Sequence, residues 1–145
     1  MAGVEAGRQL LEGRGDVRLA YLFGSAAREE VRSSSDLDVA VLFEPRPDPL
    51  DLDRFTVELQ GAARRDVDLI ILDSAPPVLA HEIIATGRLL VSRDETERVS
   101  FEARATARYL DTTHLRRVQY AYLREAGRTT WMGEQPTERL RRVLG

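Results

Sequence analysis

Two aspartates one residue apart, Asp36 and Asp38, are the residues of this sequence most able to do chemistry. The apolar run that follows them, V-A-V-L-F at residues 39–43, reads as a strand continuing from the carboxylates. Alternate residues of a strand point to one face, so Asp36 and Asp38 project together. Like charges held that close repel, and a fold keeps them there only with compensation. A divalent cation is the usual compensation, and carboxylates with Mg²⁺ point to phosphate chemistry. Upstream stand Gly24 and Ser25, at the end of a second apolar run, V-R-L-A-Y-L-F at residues 17–23. A Gly-Ser pair after a strand can be a plain turn, with glycine for backbone freedom and serine as a helix N-cap. The same geometry presents N–H groups and a hydroxyl that cradle phosphate oxygens. With paired acids downstream, the phosphate-holding role is the better reading.

The residues between Ser25 and Asp36, A-A-R-E-E-V-R-S-S-S, suit two helical turns and a polar loop. The whole stretch is then strand, Gly-Ser turn, short helix, serine loop, and a strand opening on two acids. That stretch, G-S-A-A-R-E-E-V-R-S-S-S-D-L-D-V, resembles the signature of the nucleotidyltransferase superfamily built on the DNA polymerase β fold. It is most similar to the minimal nucleotidyltransferases, the MntA-like antitoxins encoded beside HEPN-domain toxins. Gly24, Ser25, Ala27, Arg28, Glu30, Ser35, Asp36 and Asp38 fall on the family pattern without a gap, and Glu29 stands where a glycine is usual.

The resemblance implies a fold and a set of roles. The fold is α/β, a small mixed β-sheet with packed helices followed by a C-terminal helical extension. Asp36 and Asp38 bind Mg²⁺. Gly24 and Ser25 hold the β and γ phosphates of ATP. Arg28, which has Glu29 and Glu30 as other partners, and Ser35 join the nucleotide side. The family places a third carboxylate on a later strand, in a pattern like Val67-Asp68-Leu69-Ile70, which makes Asp68 the third acid and metal ligand. The implied reaction transfers AMP from ATP to a tyrosine hydroxyl of a HEPN ribonuclease toxin and neutralises it. Two alternatives remain open: a small-molecule nucleotidyltransferase of the aminoglycoside-modifying kind, and an antitoxin that acts by binding alone.

Composition narrows the chemistry further. At 145 residues, 43% hydrophobic and 31% charged, the chain is one ordinary globular domain. It has no cysteine, hence no disulfide, thiolate nucleophile or zinc–thiolate site. All 21 basic residues are arginine, which excludes a P-loop or Schiff-base lysine and leaves phosphates to arginine and backbone N–H groups. Residues 1–87 hold 9 Arg and 16 acids, whereas residues 88–145 hold 12 Arg and 8 acids. An acidic front suits metal binding. The basic rear suits RNA or an acidic partner, although such charges are usually a solvated helix face, and of the two direct nucleic-acid binding is not expected. No apolar run reaches membrane-spanning length and no signal-peptide pattern opens the chain, so a cytoplasmic protein with no membrane contact is expected.

The remaining elements must position these residues. Residues 4–13 predict a helix, residues 50–63 a crossover helix, and residues 67–72 a third strand. Asp51 and Asp53 form a second D-x-D but fall at a helix start, where acids favour the dipole. Ser74 is the expected N-cap of a helix ending at Gly87, and residues 88–91 a strand at the sheet edge. His81 and His114 are too far apart in sequence for a zinc site. From residue 94 to about 126 a helical pattern runs uninterrupted. A helix of ~33 residues would be ~50 Å long, so it either breaks near Asp111-Thr112-Thr113-His114 or projects. Its stripe of Phe101, Ala105, Tyr109, Leu110, Leu115, Val118, Ala121 and Tyr122 suits a partner protein. Residues 127–136 read as a loop and 137–144 as a final short helix. The division expected is a nucleotidyltransferase core over 1–93 and the helical extension over 94–145.

Overall fold

The computed structural model describes residues 2–24 and 36–129. The elements in chain order are α1 (Ala2–Gly13), β1 (Val17–Phe23), β2 (Leu37–Phe43), α2 (Pro49–Ala63), β3 (Val67–Ile71), α3 (Pro77–Thr86), β4 (Arg88–Ser92), α4 (Glu95–Asp111) and α5 (Thr113–Thr129). The chain divides into two compact units, Met1–Thr106 and Ala107–Gly145.

The first unit is built on a four-stranded sheet in the order β3-β2-β1-β4. β1 runs antiparallel to both β2 and β4, while β2 and β3 are parallel. A parallel pair needs a crossover, and α2 supplies it. Asp48 opens α2 by accepting the Asp51 N–H at 2.8 Å, and Pro49 follows in the first turn. Arg64 closes it in the left-handed conformation at φ 58°, donating its N–H to the Gln60 carbonyl.

Strand alternation sends side chains to two cores. Leu22 on β1, Leu37, Val39 and Val41 on β2 and Val67 on β3 meet Val4 and Leu11 of α1 and Phe55 and Leu59 of α2. On the opposite face Leu19, Tyr21 and Ala40 meet Ala80 and Ile83 of α3 and Phe101 and Ala105 of α4. Burial of these apolar groups is the main stabilising term, roughly 1.5–3 kcal/mol for each large side chain. Polar ties fix the helices at their ends. Tyr21 donates its hydroxyl to Glu102 at 2.7 Å, and Arg18 pairs with Glu97, holding the start of α4 to β1. Arg93 donates to the carbonyls of Leu11, Glu12, Arg14 and Val17, so one guanidinium serves the end of α1 and the entry to β1.

Several expectations change in detail. Ser74 does not cap α3: it lies in a short turn, Leu72–Ser74, and its hydroxyl donates to the Ile71 carbonyl, while Pro76 stands at the cap position. The long helical pattern breaks at Thr112, between α4 and α5. Its N-terminal stripe residues Phe101 and Ala105 are core of the first unit. In the second unit the Arg116 guanidinium lies 4.3 Å from the centre of the Tyr109 ring, while Leu115, Tyr120 and Leu123 are exposed. α5 runs to Thr129, into the stretch expected as loop. The short helix expected at 137–144 lies outside the described residues. β4 is an edge strand, as the sequence predicts. Among the described residues no helix is long and apolar enough to cross a membrane.

Candidate active site

The site is assembled where β1 ends and β2 and β3 begin. Asp38 is the second residue of β2, paired with Phe23 of β1 on one side and with Asp68 of β3 on the other. Leu37 and Val67, directly paired, point into the α1–α2 core, so strand alternation sends Asp38 and Asp68 to the opposite face. Sequence spacing alone put Asp36 beside Asp38; the sheet register adds Asp68. Asp36 precedes β2 and is exposed, as is Asp68, whereas Asp38 is partly buried.

Electrostatics report the convergence. The Asp38 carboxyl is held above the ordinary carboxylate range, first by burial and then by the negative charges of Asp68 and Asp36. Two aspartates therefore act on a third. Among the described residues, no group of three acidic or histidine side chains is arranged to hold a metal on its own. The donor set is nevertheless all carboxylate oxygen, the chemistry that a hard cation such as Mg²⁺ takes, and Mg²⁺ ordinarily completes its shell with water and substrate phosphates.

Gly24 follows β1 directly, with φ 72°. A Cβ at this position would lie 2.5 Å from Asp38 Oδ2, so Gly24 and the central aspartate are in direct apposition. Of the predicted site residues, Gly24, Asp36, Asp38 and Asp68 are thus brought to one place. Ser25, Arg28 and Ser35 lie outside the described residues. Asp51, of the second D-x-D, is bound elsewhere: Arg14 bridges it to Asp16, with its guanidinium 4.7 Å from the Phe55 ring centre.

Comparison with known proteins accords with this arrangement. The family model described as "Polymerase beta, Nucleotidyltransferase" matches residues 7–96, a stretch that includes the four strands of the described residues and Asp36, Asp38 and Asp68. The protein adenylyltransferase MntA of Shewanella oneidensis is 35% identical over 74 residues, which are 51% of this chain and 53% of that protein. The chain thus spans about half the length of that relative. A chain in a crystal structure of a toxin–antitoxin with AMP-PNP superposes with a TM-score of 0.69 at 27% identity, covering 77% of this chain and 90% of that one. A chain in the structure of the tri-AMPylated Shewanella oneidensis HEPN toxin in complex with MNT antitoxin matches with a TM-score of 0.61 at 25% identity, covering 78% and 95%. The chain belongs to the polymerase β nucleotidyltransferase family and is a nucleotidyltransferase.

Proposed function

We propose that this enzyme is an antitoxin that transfers AMP from ATP to a tyrosine hydroxyl of a HEPN-domain toxin. The observation that carries it is the register of Asp38 against Asp68 beside Gly24, which brings two carboxylates together next to the residue that follows β1. Support for the protein acceptor comes from the relatives: one is named a protein adenylyltransferase, and another structure holds an AMPylated HEPN toxin with its antitoxin.

In this reaction the acceptor oxygen forms a bond to the α-phosphorus, the bond from that phosphorus to the bridging oxygen breaks, and pyrophosphate leaves with the electron pair. Asp68, exposed at the edge of the acidic group, receives the hydroxyl proton. Asp36 and Asp38 would hold Mg²⁺, which supplies charge neutralisation for the triphosphate and orients it. Gly24 and Ser25 cradle the β and γ phosphates with backbone N–H groups and the serine hydroxyl, and Arg28 and Ser35 add contacts on the nucleotide side. A cytoplasmic location goes with ATP as the donor. Of the division into 1–93 and 94–145, the part of the extension beyond Thr106 docks the partner, while the first unit holds the chemistry.

The test is direct. The purified chain is mixed with Mg²⁺, ATP and a HEPN-domain toxin, and the toxin is weighed by intact-mass spectrometry. Addition of AMP to a toxin tyrosine, lost in Asp38→Asn, is expected. Toxin inhibition with no mass change would leave an antitoxin that acts by contact.

A further inference from the structure

We infer that Gly24 is a positioning residue for Asp38: the space where a side chain would stand at residue 24 is the space that the Asp38 carboxylate occupies. A Cβ on Gly24 would lie 2.5 Å from Oδ2, 3.5 Å from Cγ and 3.7 Å from Cβ of Asp38. The first separation is well inside van der Waals contact. Backbone conformation alone does not account for the glycine. Arg64 holds a left-handed backbone at φ 58° with a complete side chain, so this chain accepts an L-residue in that region where space allows.

Asp38 cannot retreat as a unit. Its backbone is paired with Phe23 on one side and Asp68 on the other, in the interior of the sheet. An added methyl group at residue 24 must therefore be relieved by turning the Asp38 side chain, and the carboxylate of Asp68 lies on the neighbouring strand in the same register. Gly24 and Asp68 bound a slot, and the slot aims the central carboxylate. A misplacement of about 1 Å in a reacting constellation costs roughly 100-fold in rate. This role is distinct from holding phosphate with a backbone N–H, which any residue able to adopt the turn would retain.

The inference rests on Asp38 as a residue of the transfer site, and its test separates the two. Gly24→Ala is measured by thermal melting in the wild-type background and in Asp38→Ala, without nucleotide. The loss in melting temperature is expected to be much smaller once the carboxylate is gone; equal losses overturn the inference. Should Gly24→Ala alone fail to fold, a folded Gly24→Ala/Asp38→Ala double variant carries the same conclusion, and an unfolded one overturns it. In the transfer assay Gly24→Ala is compared with Gly24→Asn, because asparagine tolerates the left-handed backbone but brings a Cβ. Both are expected to lose roughly 100-fold in kcat with a far smaller change in KM for ATP. Near wild-type kcat for Gly24→Asn, or a rise in KM with kcat intact, assigns Gly24 to the turn or to phosphate alone and overturns it. A positive melting cycle with no transfer by the wild-type protein leaves the apposition standing and removes the proposed reaction instead.

Discussion

Asp38 and Asp68 stand directly opposite one another in the parallel β2–β3 pair, on the face away from the α1–α2 core. Neighbouring strands of a sheet lie under 5 Å apart, so the backbones that carry the two carboxylates are one strand spacing apart. Asp36 adds a third negative charge from just before β2. A fold that lines up acids in this way gives up stability for a binding site, and the cost is visible in the raised Asp38 pKa. The cost has a sign and a pH window.

In protein free of divalent cation, the folded state binds the Asp38 proton more tightly than the unfolded chain, whose value is about 3.9. Stability from this group is therefore greatest below the unfolded value. It declines as pH rises from there through the folded value, and stays lower above. Asp38→Asn removes the charge and should raise the melting temperature at neutral pH while flattening that decline. Melting curves across pH in the presence of a chelator decide it. An asparagine variant less stable than wild type at neutral pH would mean that the carboxylate makes a favourable contact instead. The same substitution should abolish nucleotide transfer.

Mg²⁺ and ATP together should raise the melting temperature strongly, and neither alone should do so. The carboxylates offer only part of a Mg²⁺ shell, and triphosphate without cation meets three aspartates of its own sign. A fourfold set of thermal shifts, with and without each component, tests the pairing. A shift with Mg²⁺ alone as large as with both would identify a structural ion.

Two glycines of α1 should respond in opposite directions. Gly7 is buried in the helix interior, and an added Cβ would meet nothing within 4 Å. Gly7→Ala should stabilise the fold by about 0.5–1 kcal/mol through helix propensity. At Gly3 the added Cβ would stand 2.5 Å from the Ala63 carbonyl oxygen, where α1 meets the end of α2. Gly3→Ala should destabilise it. Denaturant unfolding of the two variants checks both signs, and a stabilising Gly3→Ala would mean that α1 docks less closely than the structure shows.

What the sequence shows plainly is local. The strands flanking Gly24 and Asp36-Leu37-Asp38, the crossover helix and the edge position of β4 follow from apolar runs and breakers that act over a few residues. Length alone left two outcomes for the long helical pattern, a break near Asp111-Thr112-Thr113-His114 or a projecting helix, and the break at Thr112 is the one found. The register that sets Asp68 against Asp38 is a pairing between strands separated by the whole of α2, and periodicity carries no information about it. Family resemblance, not spacing, brought in Asp68. Ser74 had the right residue type before two prolines, yet its hydroxyl is turned back to Ile71 by the tight turn after β3. Nothing in the sequence sets Arg93 apart from the other arginines. Its contacts are carbonyl oxygens of α1 and the start of β1, a target invisible until the strands are in place.

The second compact unit, Ala107–Gly145, gives the last expectation. All three aspartates and Gly24 belong to the first unit, which carries both cores and the entire sheet. Truncation after Thr106 should therefore leave Mg-ATP binding intact, as read by thermal shift. If the extension docks the toxin, AMP transfer to that protein should fall steeply, because docking supplies the proximity that makes the step effectively unimolecular. A milder change keeps the chain whole. On α5, Leu115, Tyr120 and Leu123 are 57%, 68% and 62% exposed, and an exposed tyrosine with Leu123 three residues on is the composition of an interface anchor. Leu115→Ser with Tyr120→Ser should then reduce transfer to the toxin while Mg-ATP binding is unchanged. Both proteins are compared with wild type in the same two assays. Full-rate modification of the toxin by either would put the partner surface at the nucleotide cleft of the first unit, and loss of Mg-ATP binding on truncation would make the extension part of that unit's fold.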